Sequence, residues 1–124
     1  MNWYPDKEIQ TQLEEIIDLI EFSHIKKNRV FAYRTTGSSA RAYARIWAFP
    51  KIFQEVLDIE AAYVIEVISE KFDKLKPDDK KKVLIHELLH IPRNFSGSLL
   101  PHKFGHKRIE KEVQKLFKFL KSKY

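Results

Sequence analysis

The stretch HELLHIPRNFSGSLLPHKFGH, residues 86–106, holds four of the five histidines in a chain of 124 residues. Its first five residues match the pattern HExxH, which places two histidines one turn apart on the same face of a helix. Their imidazoles can then meet a single Zn²⁺, while the adjacent Glu87 reaches a water molecule and not the metal itself. We therefore predict His86 and His90 as zinc ligands and Glu87 as a general base.

The flanks of this motif predict that its helix is buried. In the segment KKKVLIHELLHI (80–91), apolar residues lie on nearly every side of the helix after the three lysines. A buried helix must find partners for two histidines and one glutamate, and a metal ion satisfies all three together. Pro77, Asp78 and Asp79 suit the first turn of this helix, and Pro92 ends it.

The third metal ligand must come from further along the chain, because two protein ligands are rarely enough. The candidates are His102, His106, Glu110 and Glu112. We favour His102 as the ligand and assign His106 a catalytic role beside it, such as stabilising the oxyanion. If Pro101 begins the last helix, these two histidines share one face of it. The alternative for His106 is a capping or surface position.

One large class of zinc peptidases, the metzincins, is excluded by the residues after His90. That class needs a glycine three residues and a histidine six residues past the second histidine, and a methionine turn. This chain has Arg93 and Ser96 at those positions, and Met1 is its only methionine.

The rest of the chain predicts a small sheet with helices around it. Apolar periodicity predicts a helix from Glu8 to about Ser23 and a last helix over residues 106–123. Residues 28–36 and 61–68 are typical of strands, and residues 40–49 alternate with a period of two, although the same letters would suit a helix. Residues 51–59 predict a short helix with four side chains pointing inward: Ile52, Phe53, Val56 and Leu57.

Three segments carry a resemblance to a known family: IEAAYVIEVISEKFDKL (59–75), LIHELLHIP (84–92) and FSGSLLPH (95–102). Together they resemble the small family of metallopeptidases encoded in phage, archaeal and bacterial genomes, over roughly residues 40–106. The resemblance implies that His86, His90 and His102 bind zinc and that Glu87 is the catalytic base. Family members often have an acidic residue after the third histidine, whereas this chain has Lys103.

Composition narrows the setting of the protein. Without cysteine, any metal must be held by histidine or carboxylate side chains, and disulfides are excluded. The first ten residues lack the apolar core of a signal peptide, and no apolar run would span a bilayer, so we expect a cytoplasmic protein with no membrane partner. The formal net charge is +6, because 23 lysine and arginine residues are interleaved with seventeen acidic residues. Such a mixture by itself indicates an ordinary charged surface.

Basic and aromatic residues are interleaved in one region that could bind single-stranded nucleic acid by stacking and phosphate contact. They are Arg34, Arg41 and Arg45 with Tyr33, Tyr43 and Trp47. We favour instead a solvated strand face whose aromatic residues pack against a core edge.

These observations predict one α+β domain over residues 1–124. We expect a minimal zincin-like arrangement: a small twisted sheet, a backing helix, the HExxH helix and a C-terminal helix. The predicted function is zinc-dependent hydrolysis of peptide bonds in a peptide or protein substrate. The alternative is a non-catalytic module that keeps zinc as a staple and binds nucleic acid or protein, or a latent or DNA-associated protease.

Overall fold

The computed structural model describes residues 1–102 and 106–124, and for residues 106 and 107 it describes the backbone alone. Four strands form one mixed sheet: β1 (Asn2–Pro5), β2 (Val30–Thr36), β3 (Ala44–Ala48) and β4 (Tyr63–Ile68). The helices are α1 (Lys7–Leu19), α2 (Lys51–Leu57), α3 (Ser69–Phe72), α4 (Pro77–Leu88) and α5 (His106–Lys121). The α+β class predicted from the sequence is therefore confirmed.

The strand order in the sheet is β1-β2-β4-β3, which makes β1 and β3 the two edges. β2 and β4 are parallel, while β1 pairs antiparallel with β2 and β3 pairs antiparallel with β4. Because side chains alternate across a strand, each strand presents one set of residues to the helices and the other set to the opposite, outer face. The alternation predicted for residues 40–49 thus belongs to a strand and not to a helix.

The hydrophobic core lies between the sheet and the helices. Helix α1 begins at Asp6, whose carboxylate accepts a hydrogen bond from the backbone N–H of Ile9 at 2.9 Å. Its apolar stripe packs with α4, α5 and the inner sheet face in one buried cluster. The main members of that cluster are Ile9, Leu13, Ile16, Ile17, Val30, Ala32, Tyr63, Ile65, Val67, Leu84, Ile85, Leu88, Val113, Phe117 and Leu120.

Helix α2 corrects one prediction, because its apolar side chains point outward. Ile52, Phe53, Val56 and Leu57 are 67%, 52%, 73% and 61% exposed. The helix is anchored instead through Gln54, whose side-chain amide donates to the carbonyl oxygens of Phe49 and Ser96, both at 3.0 Å. Periodicity correctly grouped the four apolar residues, but the core they were expected to enter is already filled by α1, α4 and α5.

The outer face of the sheet carries a buried carboxylate surrounded by donors. Glu66 of β4 is 2% exposed, and it pairs in register with Tyr33 of β2 and Arg45 of β3. Arg45 donates to it at 2.8 Å, the indole N–H groups of Trp47 and Trp3 donate at 2.7 and 2.9 Å, and the Thr35 hydroxyl donates as well.

These donors keep Glu66 ionised. Burial alone raises the pKa of its carboxyl, but the hydrogen bonds from Arg45, Thr35, Trp47 and Trp3 outweigh burial and lower the pKa to about 2. A buried charge with five hydrogen-bond donor contacts ties both edge strands to the middle of the sheet.

Candidate metal centre

The end of α4 presents the first two residues of the site. Pro77 is the first residue of the helix, with Asp78 and Asp79 in its first turn, as predicted. Leu84, Ile85 and Leu88 anchor the helix in the core. His86, on the opposite side, is half-buried at the wall of an open cleft, and the adjacent Glu87 is 8% exposed.

His90 lies in the turn that continues α4. Its backbone N–H donates to the Glu87 carbonyl oxygen at 3.1 Å, and its ring lies 5.3 Å from that of His86. Nδ1 of His90 lies 2.6 Å from the carbonyl oxygen of Leu100. Since a carbonyl oxygen only accepts, Nδ1 must carry the proton, which leaves Nε2 with a lone pair for a metal ion.

The loop after His90 is fixed by contacts that the sequence did not indicate. The buried Tyr63 hydroxyl accepts from the Gly97 N–H at 2.9 Å and donates to the Ser98 carbonyl oxygen at 2.8 Å. The Leu100 N–H donates to the His90 carbonyl oxygen at 2.7 Å. These bonds hold the loop against β4 and the end of α4, and they set the direction from which the chain reaches His102.

His102 completes a cluster of three imidazoles. Its Nε2 lies 3.2 Å from Nε2 of His86, and its ring is 4.6 Å from the ring of His90. One ring nitrogen from each of the three histidines lies within 4.8 Å of the others. No other group of three or more potential metal-binding side chains occurs in the part of the chain that the structure describes.

The donor set fits a metal ion. Two imidazole nitrogens at about 2.0–2.1 Å from a tetrahedral ion would be roughly 3.3 Å apart, close to the 3.2 Å between His86 and His102. The full 4.8 Å spread is somewhat wider, and His102, which is exposed, is the member with room to adjust. An ion held by these three nitrogens alone would keep a fourth position for a water molecule or substrate, whereas structural zinc sites have four protein ligands.

Glu87 stands beside this cluster. One of its carboxylate oxygens lies 4.0 Å from Nε2 of His86. Burial raises the pKa of its carboxyl to about 8. A divalent cation at the histidines would act in the opposite direction and favour the ionised carboxylate.

A cleft of about 550 Å³ runs from this site along the start of β3. The cleft is lined by His86 and Glu87 from α4, by residues of the N-terminal half of α5, and by residues 42–44. Glu110 lines the cleft, whereas Glu112 is exposed on α5. Neither belongs to the three-residue cluster, in which His102 takes the third place.

Two expectations for residues 101–106 have different outcomes. Pro101 and His102 are not helical, whereas His106 belongs to α5, so the two histidines do not share a helical face. The physical reason is that hydrogen bonds to Tyr63 and His90 hold the backbone at Ser98 and Leu100, so this segment does not start a helix. The side chain of His106 lies outside the described part of the chain, and its catalytic role stays a prediction.

Gly97 is the residue on which the loop geometry depends most. Its φ is +96°, and a Cβ there would lie 2.1 Å from Nε2 of Gln54 and 2.8 Å from the Phe49 carbonyl oxygen. We expect Gly97→Ala to lower the free energy of unfolding by at least ~2 kcal/mol and to weaken metal binding, since the loop would shift. Urea unfolding and metal titration would measure both effects.

Gly37→Ala is the matched control for this prediction. Gly37 also has a positive φ, +78°, but its Cβ would only reach ordinary contact with Met1 at 3.4 Å. It should lower stability by about 1 kcal/mol and leave metal affinity unchanged. Equal loss of metal affinity in both variants would contradict the positioning role of Gly97.

The fold and the site together define a small α+β protein whose three converging imidazoles could hold a metal ion beside a buried carboxylate. Comparison with known families makes this more specific: residues 1–121 match the family described as "Putative phage metallopeptidase". The chain therefore belongs to that family, and the match extends well beyond the region 40–106 on which the resemblance was based. No curated protein and no solved structure matches the chain.

Membership in a metallopeptidase family implies a metal ion, in agreement with the histidine cluster. None of the helices in the described ranges has the length and apolar character that crossing a bilayer requires.

Proposed function

We propose that the protein is a zinc-dependent peptidase in which His86, His90 and His102 bind the metal and Glu87 is the general base. The observation that carries this proposal is the placement of the Glu87 carboxylate 4.0 Å from a ring nitrogen of the three-histidine cluster, at the wall of an open cleft. Zinc is favoured among metals because imidazole nitrogens suit it, and because it acts as a Lewis acid without redox chemistry of its own.

The chemistry divides between the ion and the chain. Zinc held by three imidazoles would supply Lewis acidity, which polarises the scissile carbonyl and acidifies a water molecule. Glu87 accepts a proton from the attacking water while the water oxygen bonds to the carbonyl carbon. Glu87 then passes this proton to the leaving amine as the C–N bond breaks. The hydrogen bond from His90 to the Leu100 carbonyl keeps that ring in the tautomer that binds a metal.

The substrate is proposed to be an extended peptide lying along the edge strand β3. In the part of the chain that the structure describes, β3 has no neighbouring strand on its outward edge, and residues 42–44, at and just before its start, line the cleft. Backbone hydrogen bonds to such an edge hold a peptide with little dependence on its sequence. This arrangement favours loose substrate choice unless a partner or a second copy narrows the cleft.

The test is metal-dependent proteolysis by the purified chain. Protein reconstituted with one equivalent of zinc should cleave a mixed pool of unstructured fluorogenic peptides. A chelator should abolish cleavage, and added zinc should restore it. Zinc-edge absorption spectroscopy should report three nitrogen ligands and one oxygen. Four nitrogen ligands without cleavage would contradict the proposal and favour a structural zinc site.

A further inference from the structure

The outer face of the sheet, on the side away from the histidine cluster, holds a second cavity of about 410 Å³. Its lining is almost entirely aromatic: Trp3, Phe31, Tyr33, Trp47 and Phe49, with Val64 and Glu66 at the base. In register, Phe31 of β2 and Trp47 of β3 flank Val64 of β4. The two aromatic residues are therefore about two strand spacings, roughly 10 Å, apart.

The two indoles of this cavity are held in fixed positions although they are exposed. Trp3 and Trp47 are 58% and 51% exposed, yet both direct their N–H groups onto the buried carboxylate of Glu66. Rings that served only to cover the sheet would bury more of their area. Here the carboxylate orients two ring surfaces from opposite edges of the sheet toward solvent, as a preorganised binding site requires.

The same contacts limit the chemistry of the ligand. Both indole N–H groups are already used, so a ligand must be recognised by the ring surfaces. A cationic ligand is disfavoured, because Arg45 already lies over the Trp47 ring at 5.5 Å and Arg29 over the Phe31 ring at 6.0 Å. A planar ring that can stack on the exposed aromatic surfaces satisfies these limits.

The charges around the cavity add a preference for an anion. Arg29 donates to the backbone carbonyl oxygens of Ala61 and Glu60, which carry no formal charge, and no carboxylate among the described residues pairs with it. The charge of Arg45 is balanced by Glu66, but the Arg45 side chain is 37% exposed. The whole chain carries a formal charge of +6. Planar rings joined by negative charges are the chemistry of a nucleic acid strand.

We infer that the outer sheet face binds unpaired bases of a single-stranded nucleic acid, which stack on Trp3, Phe31 and Trp47 while Arg29 contacts a phosphate. A four-stranded sheet with exposed aromatic residues can receive two or three bases in this way. The binding is sequence-tolerant, because every base has a ring surface. This inference does not depend on the proposed peptidase activity, since the sheet lies between the two sites.

The structure also corrects the basic and aromatic cluster expected from the sequence. Arg34 lies on the other face of β2 from Tyr33 and is engaged by Asp6 and Asp73, both at 2.8 Å. It therefore cannot serve the outer face. Tyr33, Arg45 and Trp47 of that cluster do lie on the outer face. Three residues that the interleaved pattern did not include join them there: Trp3, Phe31 and Arg29.

The test uses the protein's own fluorescence, because Trp3 and Trp47 are its only tryptophans and both line this cavity. Titration of the full chain with a fluorescein-labelled eight-nucleotide oligothymidylate should quench tryptophan emission and raise the anisotropy of the label at the same concentrations. A blunt duplex of equal length should bind more weakly. Arg29→Ala should make the affinity less dependent on salt.

Variants separate stacking from general attraction to a basic protein. Phe31→Ala leaves every donor to Glu66 in place and should weaken binding roughly tenfold, as should Trp47→Ala. Phe53→Ala, on α2, removes an aromatic ring that is 52% exposed, nearly the same as the 51% of Trp47, and should leave binding unchanged.

Three results would overturn the inference. The first is a rise in anisotropy without quenching, or binding that survives Phe31→Ala and Trp47→Ala, since nucleic acid would then bind elsewhere. The second is quenching by a trimethyllysine peptide and not by the oligonucleotide, which would assign the cavity to a cation. The third is quenching of tryptophan emission that changes with protein concentration and not with oligonucleotide concentration, which would assign the face to a second copy of the chain.

Discussion

Glu87→Gln should retain one zinc per chain and lose peptidase activity, with kcat/KM reduced by about 10²–10⁴. Glutamine matches glutamate in shape, so the position 4.0 Å from His86 is kept, but its neutral amide cannot accept the proton of the attacking water. Metal analysis and hydrolysis of the peptide pool, run on the same preparation, would separate loss of the base from loss of the metal.

Glu110→Gln is the matched control, because Glu110 lines the same cleft and was a candidate for the third ligand. We expect it to keep both zinc and most of the activity. If Glu110→Gln lost zinc while His102→Ala kept it, the ligand assignment would be wrong. If Glu87→Gln were as active as the original chain, general-base catalysis by Glu87 would be wrong.

The second large effect is that His90 and His102 should both be needed for metal binding, while only His90 should contribute to stability without metal. Without metal, His90→Ala should lower the free energy of unfolding by about 1–3 kcal/mol, because His90 is buried and donates to the Leu100 carbonyl at 2.6 Å. His102→Ala should change it little, because that side chain is exposed. Saturating zinc at about 1,000 times Kd should raise the Tm of the original chain by roughly 10–20 °C.

Both alanine variants should lose this zinc-dependent rise in Tm, which thermal unfolding with and without zinc would measure. His24→Ala is the control, since His24 is a partly buried histidine outside the cluster, with its ring 5.1 Å from that of Phe22. It should keep the full rise. A rise that persisted in His102→Ala would remove His102 from the ligand set.

Much of the fold could be predicted from local patterns. The period of 3.6 located α1 and α5, the period of two located β3, and the acidic, proline-containing start of α4 was evident from residues 77–79. The four-residue strand β1 was missed, because Asn2–Pro5 is too short to show a period and is defined by its pairing with β2. The four-residue α3 was missed for the same reason of length.

The site divides in the same way. The spacing of His86, Glu87 and His90 is local, so one helical turn brings these residues together. The approach of His102 depends on Tyr63, which lies 34 residues before Gly97 in the chain and holds the loop through its hydroxyl. In the sequence, Tyr63 has only the signature of a strand residue, and Gly97 only that of a loop.

The sequence by itself determined the helix that carries the HExxH pattern, the class of the fold and the residue types available to a metal, because these follow from periodicity and spacing within single elements and from the absence of cysteine. Only the tertiary structure decided the rest. It turned α2 outward, joined Trp3 to Glu66 across 63 residues, and brought His102 to 3.2 Å from His86. Periodicity records which residues share a face. What covers that face depends on segments distant in the chain, whose positions are set by packing and hydrogen bonding.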